Sequence, residues 1–359
     1  MRKFKVLVVD DSALMRKIIS DMINSENNME VVAIARNGQD FIKKLEDVKP
    51  NVVTLDVEMP VMNGIEALKE LRTRNIGIPV IILSSVSKKS SELTMECLEN
   101  GAFDFIAKPS GAISLDIDKV RNELISKLNL AYEKCQNGCT IEEIRAISKD
   151  ISKELNEENK SIPKKKFVNK ISALVIGAST GGPKALHQVI SNLPDDLGVP
   201  VFVVQHMPAT FTKAFAERLN SRSKITVVEA YDGQAVSNNV VYIAPGGFHM
   251  EVGKDKKIHL NKEPTVWGVR PAVDKLFKSA AAVYKERLMS VVLTGMGRDG
   301  AEGTIEVKKN GGITISEDRS TSVIYGMPKA AYETGMVDMV LRLDKVASEI
   351  VKIVKWNGR

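Results

Sequence analysis

Between Phe4 and Ala107 five short apolar runs alternate with stretches of helical periodicity. The runs are Phe4–Val9, Val31–Ala35, Val52–Leu55, Val80–Leu83 and Phe103–Ala107. The helical stretches begin near Ala13, Gln39, Gly64 and Ser90, with another after Asp116. Runs this short are strand-sized, and apolar residues that fill a run rather than alternate along it mark strands covered on both faces. Strands separated by helices pair in parallel, so residues 1–125 are expected to form a doubly wound (βα)5 domain of the flavodoxin-like kind. Ligands of such sheets gather beyond the carboxyl ends of the strands.

The alternation resumes after Ile171, with strand candidates Ala173–Ile176, Val199–Val204, Ile225–Val228, Met289–Leu293 and Ile313–Ile315 and helices near Pro183, Thr212, Ala272 and Ala301. Within the interval 229–262, Val240–Ile243, His249–Val252 and Ile258–Leu260 are spaced like antiparallel hairpins. A second doubly wound α/β domain with a β-hairpin insertion is therefore expected over 171–359. Residues 126–170 read as a linker, because "NEENKSIPKKKFVNK" is polar, charged and carries Pro163. Ahead of it, Ile141, Ile144, Ile147, Ile151 and Leu155 recur at helical spacing and predict one amphipathic helix.

At 359 residues the chain suits about two domains. No apolar stretch reaches the roughly 20 residues that a membrane-spanning helix needs, and the short apolar start is not a signal peptide. Three cysteines, Cys97, Cys135 and Cys139, have no further Cys or His at zinc-site spacing and suit reduced thiols. A cytoplasmic protein without membrane insertion is expected. Basic residues exceed acidic ones by 5 over 171–359 (24 against 19), yet no Lys/Arg cluster is interleaved with aromatics, which argues against nucleic-acid binding. Nothing suggests an obligate dimer, so a monomer is expected.

Asp10 and Asp11 follow the first predicted strand, Asp56 ends the third, Ser84 follows the fourth and Lys108 the fifth. Parallel strands deliver all five to one edge. A single aspartate there would usually cap the following helix, but capping does not account for a lysine and a hydroxyl at the same edge. Three carboxylates repel one another, and a hard cation such as Mg²⁺ offsets that cost. A carboxylate beside such a cation can attack a phosphoryl group. The constellation resembles the receiver domain of two-component response regulators. That resemblance implies Asp56 as phosphoacceptor. It also implies Mg²⁺ held by Asp11, Asp56 and the Glu58 backbone carbonyl, with Asp10 assisting through water. Ser84 and Phe105 match the family's switch positions.

In the second half, "LVIGASTGGPKAL" breaks from an apolar run into small residues and then opens a helix at Pro183. Either a phosphate cradle or a nucleophile turn fits that loop taken alone. A dinucleotide site would want an acidic residue at the next strand's end, where Gln205 and His206 stand instead. Among four histidines, His206 is the one at a strand's carboxyl end; His187 lies within a predicted helix and His259 alternates along a hairpin strand. "VVLTGMGRDGAEG" brings Asp299 to a third strand end. A hydroxyl, an imidazole and a carboxylate on one edge suit a triad of Ser179, His206 and Asp299. Amides of the Met296–Gly297 turn and of Thr180 and Gly181 are candidates for an oxyanion hole.

"GASTG" fits the nucleophile elbow of α/β-hydrolases, but the order Ser179, His206, Asp299 differs from that family's. Order and wording fit a narrower group. "IGASTGGP", "QHMP", "YIAPGGFHMEV", "RPAVDKLF" and "LTGMGRDGAEG", with "VDDSALMR" near the amino terminus, resemble the CheB-type chemotaxis protein-glutamate methylesterases. The resemblance implies triad roles for Ser179, His206 and Asp299, and an oxyanion role for the Met296 amide. It implies removal of methyl groups from glutamate esters on methyl-accepting chemotaxis receptors, deamidation of receptor glutamines, and phosphorylation by a chemotaxis histidine kinase. Two rivals stand beside it. One is a nucleotide-binding loop at Gly177–Gly182; the other is a non-enzymatic response regulator, for which a basic recognition helix is lacking.

Overall fold

The structure is a computed structural model that describes residues 3–108, 117–136 and 170–356. In the first unit β1 (Phe4–Val9), β2 (Met29–Ala35), β3 (Val52–Asp56), β4 (Val80–Ser84) and β5 (Asp104–Ala107) form a parallel sheet in the order β2-β1-β3-β4-β5. The helices α1 (Ala13–Asn24), α2 (Gly38–Val48), α3 (Gly64–Thr73), α4 (Lys88–Glu99) and α5 (Ile117–Gln136) cover it. The expected (βα)5 architecture is present. Leu7, Val53, Leu55 and Ile82 are buried towards one helical layer, and Val6, Val8, Ile81 and Ile106 towards the other. That two-sided burial is why these strands are apolar throughout.

The second unit holds a seven-stranded sheet in the order β14-β13-β12-β6-β7-β9-β8. Its strands are β6 (Ala173–Ala178), β7 (Val201–Gln205), β8 (Thr226–Glu229), β9 (Val240–Ile243), β12 (Leu288–Val292), β13 (Ile313–Glu317) and β14 (Met339–Leu341). Every recorded pairing in it is parallel. The hairpin expectation needs one correction. Only β10 (His249–Val252) and β11 (Ile258–Asn261) pair antiparallel, whereas Val240–Ile243 lies inside the main sheet between β7 and β8. The helices are α6 (Gly182–Ile190), α7 (Phe211–Arg222), α8 (Val273–Tyr284), α9 (Ala301–Lys309), α10 (Met327–Glu333) and α11 (Leu343–Val354). β14, α10 and α11 were not anticipated. The helix predicted over 141–155 lies outside the described residues. None of the described helices is long and apolar enough to cross a membrane.

Candidate active site

β6 and β7 are neighbours with Ala178 opposite Gln205, so Ser179 and His206 leave the sheet side by side. The His206 N–H donates to the Ala178 carbonyl at 3.1 Å. On the other side of β6, the turn after β12 brings the Thr294 carbonyl within 3.0 Å of the Ser179 N–H. The serine backbone is thus clamped between two strand ends. Gln205, which sequence reasoning passed over, completes the clamp. Its Nε2 donates to the Ser179 carbonyl at 3.0 Å and to the His206 carbonyl at 3.1 Å. Glycine is required beside it, because a Cβ on Gly182 would lie 2.0 Å from Gln205 Oε1.

His206 Nε2 is 2.8 Å from Asp299 Oδ2. With its proton there, the imidazole keeps Nδ1 as the free base. The Ser179 hydroxyl has no hydrogen bond to the imidazole in this structure; such contacts commonly tighten only when substrate binds. Asp299 is 2 % exposed and sits at the start of α8, accepting the Val273 N–H at 2.6 Å and the Asp274 N–H at 2.9 Å. Burial alone would raise its pKa. His206 and the helix amides outweigh burial and hold the carboxyl below its usual range. The remaining histidines are placed otherwise. His187 is part-buried in α6, His249 is buried and bonded to the Pro264 carbonyl, and His259 meets Asp255 at the surface.

Asp274 returns the favour to the next helix. Its Oδ1 accepts the Gly300 and Gly303 N–H groups at 3.0 and 2.7 Å, at the start of α9, while Oδ2 accepts Trp267 Nε1 at 2.9 Å. Burial and the adjacent Asp299 charge raise its pKa. The pKa values of two neighbouring carboxylates are thereby driven apart, and Asp299 is the one kept ionised.

Glu317 lies behind the same edge, fully buried. It accepts the Thr294 N–H at 2.8 Å and the Thr321 hydroxyl at 3.0 Å, and Thr294 Oγ1 in turn donates to the Thr180 carbonyl at 3.0 Å. Burial raises the Glu317 pKa, only partly offset by those donors. The amides of Met296, Thr180 and Gly181 donate to no acceptor among the described residues, which leaves them available to a ligand oxygen.

At the edge of the first sheet, Lys108 Nζ stands 2.7 Å from Asp10 Oδ2 and 2.8 Å from Asp56 Oδ2. Burial, partly countered by Lys108, pushes the Asp56 carboxyl up to about 6. Ligand oxygens of Asp10, Asp11 and Asp56 lie within 4.8 Å of one another. Capping of α1 falls to Ser12, whose hydroxyl accepts the Met15 N–H, while Asp10 Oδ1 accepts the Ser12 N–H at 2.9 Å and leaves its Oδ2 towards Lys108. A hard cation fits this oxygen-only donor set. The Ser84 hydroxyl, by contrast, is turned to α4, bonded with Thr94 at 2.7 Å and the Ser90 carbonyl at 3.3 Å.

The two units touch beside the triad. Phe105 of β5 packs against Phe211 of α7 with centroids 4.7 Å apart and planes tilted by 32°. Glu99 of α4 forms a two-pronged ion pair with Arg218 of α7, one contact at 2.7 Å. Along α5, Ser126 Oγ reaches Met296 Sδ at 3.1 Å and Lys134 Nζ reaches the Ser322 carbonyl at 3.2 Å.

Residues 174–350 match the family model described as CheB methylesterase, and residues 6–117 match that of the response regulator receiver domain. A protein-glutamate methylesterase/protein-glutamine glutaminase of Clostridium acetobutylicum is 54 % identical over 359 residues, covering all of both chains. One of the same name from Pyrococcus horikoshii is 46 % identical over 358 residues, 99 % of this chain and 94 % of that one. The crystal structure of the Thermotoga maritima CheB methylesterase catalytic domain superposes with a TM-score of 0.50 at 45 % identity, covering 52 % of this chain and all of that one. The chain therefore belongs to the CheB methylesterase family, with a response regulator receiver domain ahead of its esterase domain.

Proposed function

We propose that this chain hydrolyses glutamate methyl esters, and deamidates glutamines, on methyl-accepting chemotaxis receptors when its receiver is phosphorylated by a chemotaxis histidine kinase. The observation that carries the reading is the convergence of Ser179, His206 and an ionised, helix-capping Asp299 on one sheet edge. His206 Nδ1 takes the Ser179 proton as Oγ attacks the γ-carbonyl carbon. Met296, Thr180 and Gly181 amides stabilise the oxyanion, and Asp299 stabilises the imidazolium. Collapse breaks the ester C–O bond, and His206 returns the proton to the leaving methoxide, giving methanol. Water deprotonated by His206 then frees the glutamate and regenerates Ser179. With glutamine the leaving group is ammonia.

In the receiver, Asp56 accepts the phosphoryl group and Lys108 neutralises part of its charge. Asp11, Asp56 and the Glu58 carbonyl would hold Mg²⁺, which offsets negative charge during transfer. Ser84 would have to turn from Thr94 to meet the phosphoryl oxygens, and Phe105 would move with it; the ring it packs against, Phe211, belongs to the esterase domain. The unphosphorylated receiver covers the Met296 turn through Ser126, and this cover is the gate that phosphorylation opens.

The test is methanol release from methylated receptor membranes, with and without a small phosphodonor and Mg²⁺. Release should rise with phosphodonor, vanish in Ser179→Ala, and lose its phosphodonor response in Asp56→Asn. No release by the folded protein under any condition would leave a phosphorylated binding protein as the better account.

A further inference from the structure

Beside the triad lies a pair of side chains that acyl transfer does not use. Val266 and Val269 exchange two backbone hydrogen bonds, at 3.2 and 3.0 Å, so Trp267 and Gly268 form the corner of a two-residue hairpin. Both corner residues are left-handed, Trp267 at φ 53° and Gly268 at φ 79°. That corner suits Asn or Gly, and a bulky ring is an outlier there. Strain of this kind points to function when the surroundings hold it in place. Here they do. The indole N–H is tied to buried Asp274, whose own N–H binds Asp299, yet the ring stays 49 % exposed.

On that ring lies the Arg298 guanidinium, 4.8 Å from the centroid. Arg298 directly precedes Asp299 and follows Met296 by two residues, so it stands on the rim of the proposed oxyanion turn. It is exposed, and among the described residues no carboxylate lies within ion-pair distance of it. Glu302, four residues on, is engaged by Lys278 at 2.6 Å. A guanidinium held over a ring face keeps N–H donors directed away from the ring, and these can receive a carboxylate in a two-pronged fashion. The esterified side chain is neutral and cannot supply that partner. An acidic neighbour in the substrate chain can, and the excess of 5 basic residues over 171–359 favours the approach of such a chain.

We infer that Arg298, held on Trp267, is a specificity-determining residue that binds a side-chain carboxylate flanking the scissile glutamyl ester. This deepens the proposed function and rests on it. Two synthetic peptides test it, each with one glutamyl methyl ester, one flanked by glutamates and the other by serines. Methanol release is followed with the full chain, phosphodonor and Mg²⁺. The acid-flanked peptide should show kcat/KM about tenfold above its serine-flanked twin, as one charge-assisted contact gives. The ratio should fall towards one in Arg298→Gln and invert in Arg298→Glu; Trp267→Leu should lower it by removing the platform. Mere structural damage would slow both peptides alike and leave the ratio standing. A ratio of one in the unaltered protein, or one that survives Arg298→Gln, overturns the assignment. Release from neither peptide would instead overturn the esterase reading beneath it.

Discussion

Glu317 places a carboxylate where its surroundings favour the neutral acid. It is fully buried, and its two oxygens meet only the Thr294 N–H and the Thr321 hydroxyl. A carboxyl whose pKa is raised in the fold holds its proton longer there than in the unfolded chain. Stability is therefore greatest below the ordinary carboxylate pKa and is lost as pH rises towards the folded value. Glu317→Gln keeps an acceptor for Thr294, and the Thr321 hydroxyl can accept from the new amide. At pH 8 the variant should be more stable by roughly 1 kcal/mol in thermal unfolding, with the gain vanishing near pH 4. A gain independent of pH would show that ionisation is not the cause. Asp299→Asn has a different signature: kcat should fall about 10³- to 10⁴-fold, because an amide cannot hold the required imidazole tautomer. Ser179 and His206 stood out because each directly follows a strand, and Asp299 because it lies in the glycine-rich turn between β12 and α9; all three bear reactive chemistry. Gln205, Asp274 and Glu317 did not, since each is defined by hydrogen bonds to backbone atoms more than twenty residues away, at Ser179, at Gly300 and Gly303, and at Thr294. "RPAVDKLF" held the one faint signal, an aspartate just inside a predicted helix.

Helices α8 and α9 are stapled by an exchange of aspartates, Asp299 on the start of one and Asp274 on the start of the other. Anions at helix starts satisfy unpaired N–H groups and complement the helix dipole, each cap being worth about 1 kcal/mol. Asp274→Ala frees two buried N–H groups and the Trp267 indole, and a loss of about 2–4 kcal/mol in unfolding free energy is expected. The same change leaves the Asp274 backbone N–H, and with it the cap that Asp299 makes on α8. Activity should nonetheless fall at every pH, because the loop bearing Asp299 loses its anchor at Gly300. Wild-type stability in Asp274→Ala would show that water replaces the carboxylate. The strands flanking these helices could be read from their apolar runs alone. β9 could not be placed, since four contiguous apolar residues, VVYI, fit a hairpin strand and an interior strand equally well. Its parallel pairing depends on β7, some forty residues earlier. β14 is three residues long and only partly buried, which leaves almost no pattern to read.

Across the molecule, the receiver presses α4 and the end of β5 on α7, and lays α5 beside the Met296 turn. Sequence patterns revealed both domains but not this contact, because interface residues such as Glu99 and Arg218 look like ordinary solvated charges until they meet. The proposed gate has substrate reach Ser179 past Ser126 and Lys134, so that the closed arrangement opposes hydrolysis and phosphorylation at Asp56 shifts the balance to an open one. Removing residues 1–135 should accordingly raise activity without phosphodonor. A finer test works through one ion pair. Glu99 lies within 4.0 Å of Arg222 as well as bonding Arg218, so Glu99→Arg sets three cations against one another. The side chains are about a third exposed, so screening reduces the effect to about 1–2 kcal/mol, a 5- to 30-fold shift towards the open state. Activity of the unphosphorylated protein should rise by up to that factor, less at high salt, while the phosphorylated protein changes little because it is already open. Adding Arg218→Glu to Glu99→Arg rebuilds a pair of opposite sign and should lower the basal activity again. If Glu99→Arg leaves that activity where it was, the α4–α7 contact holds the domains together without governing access, and the gate lies instead where α5 crosses Met296.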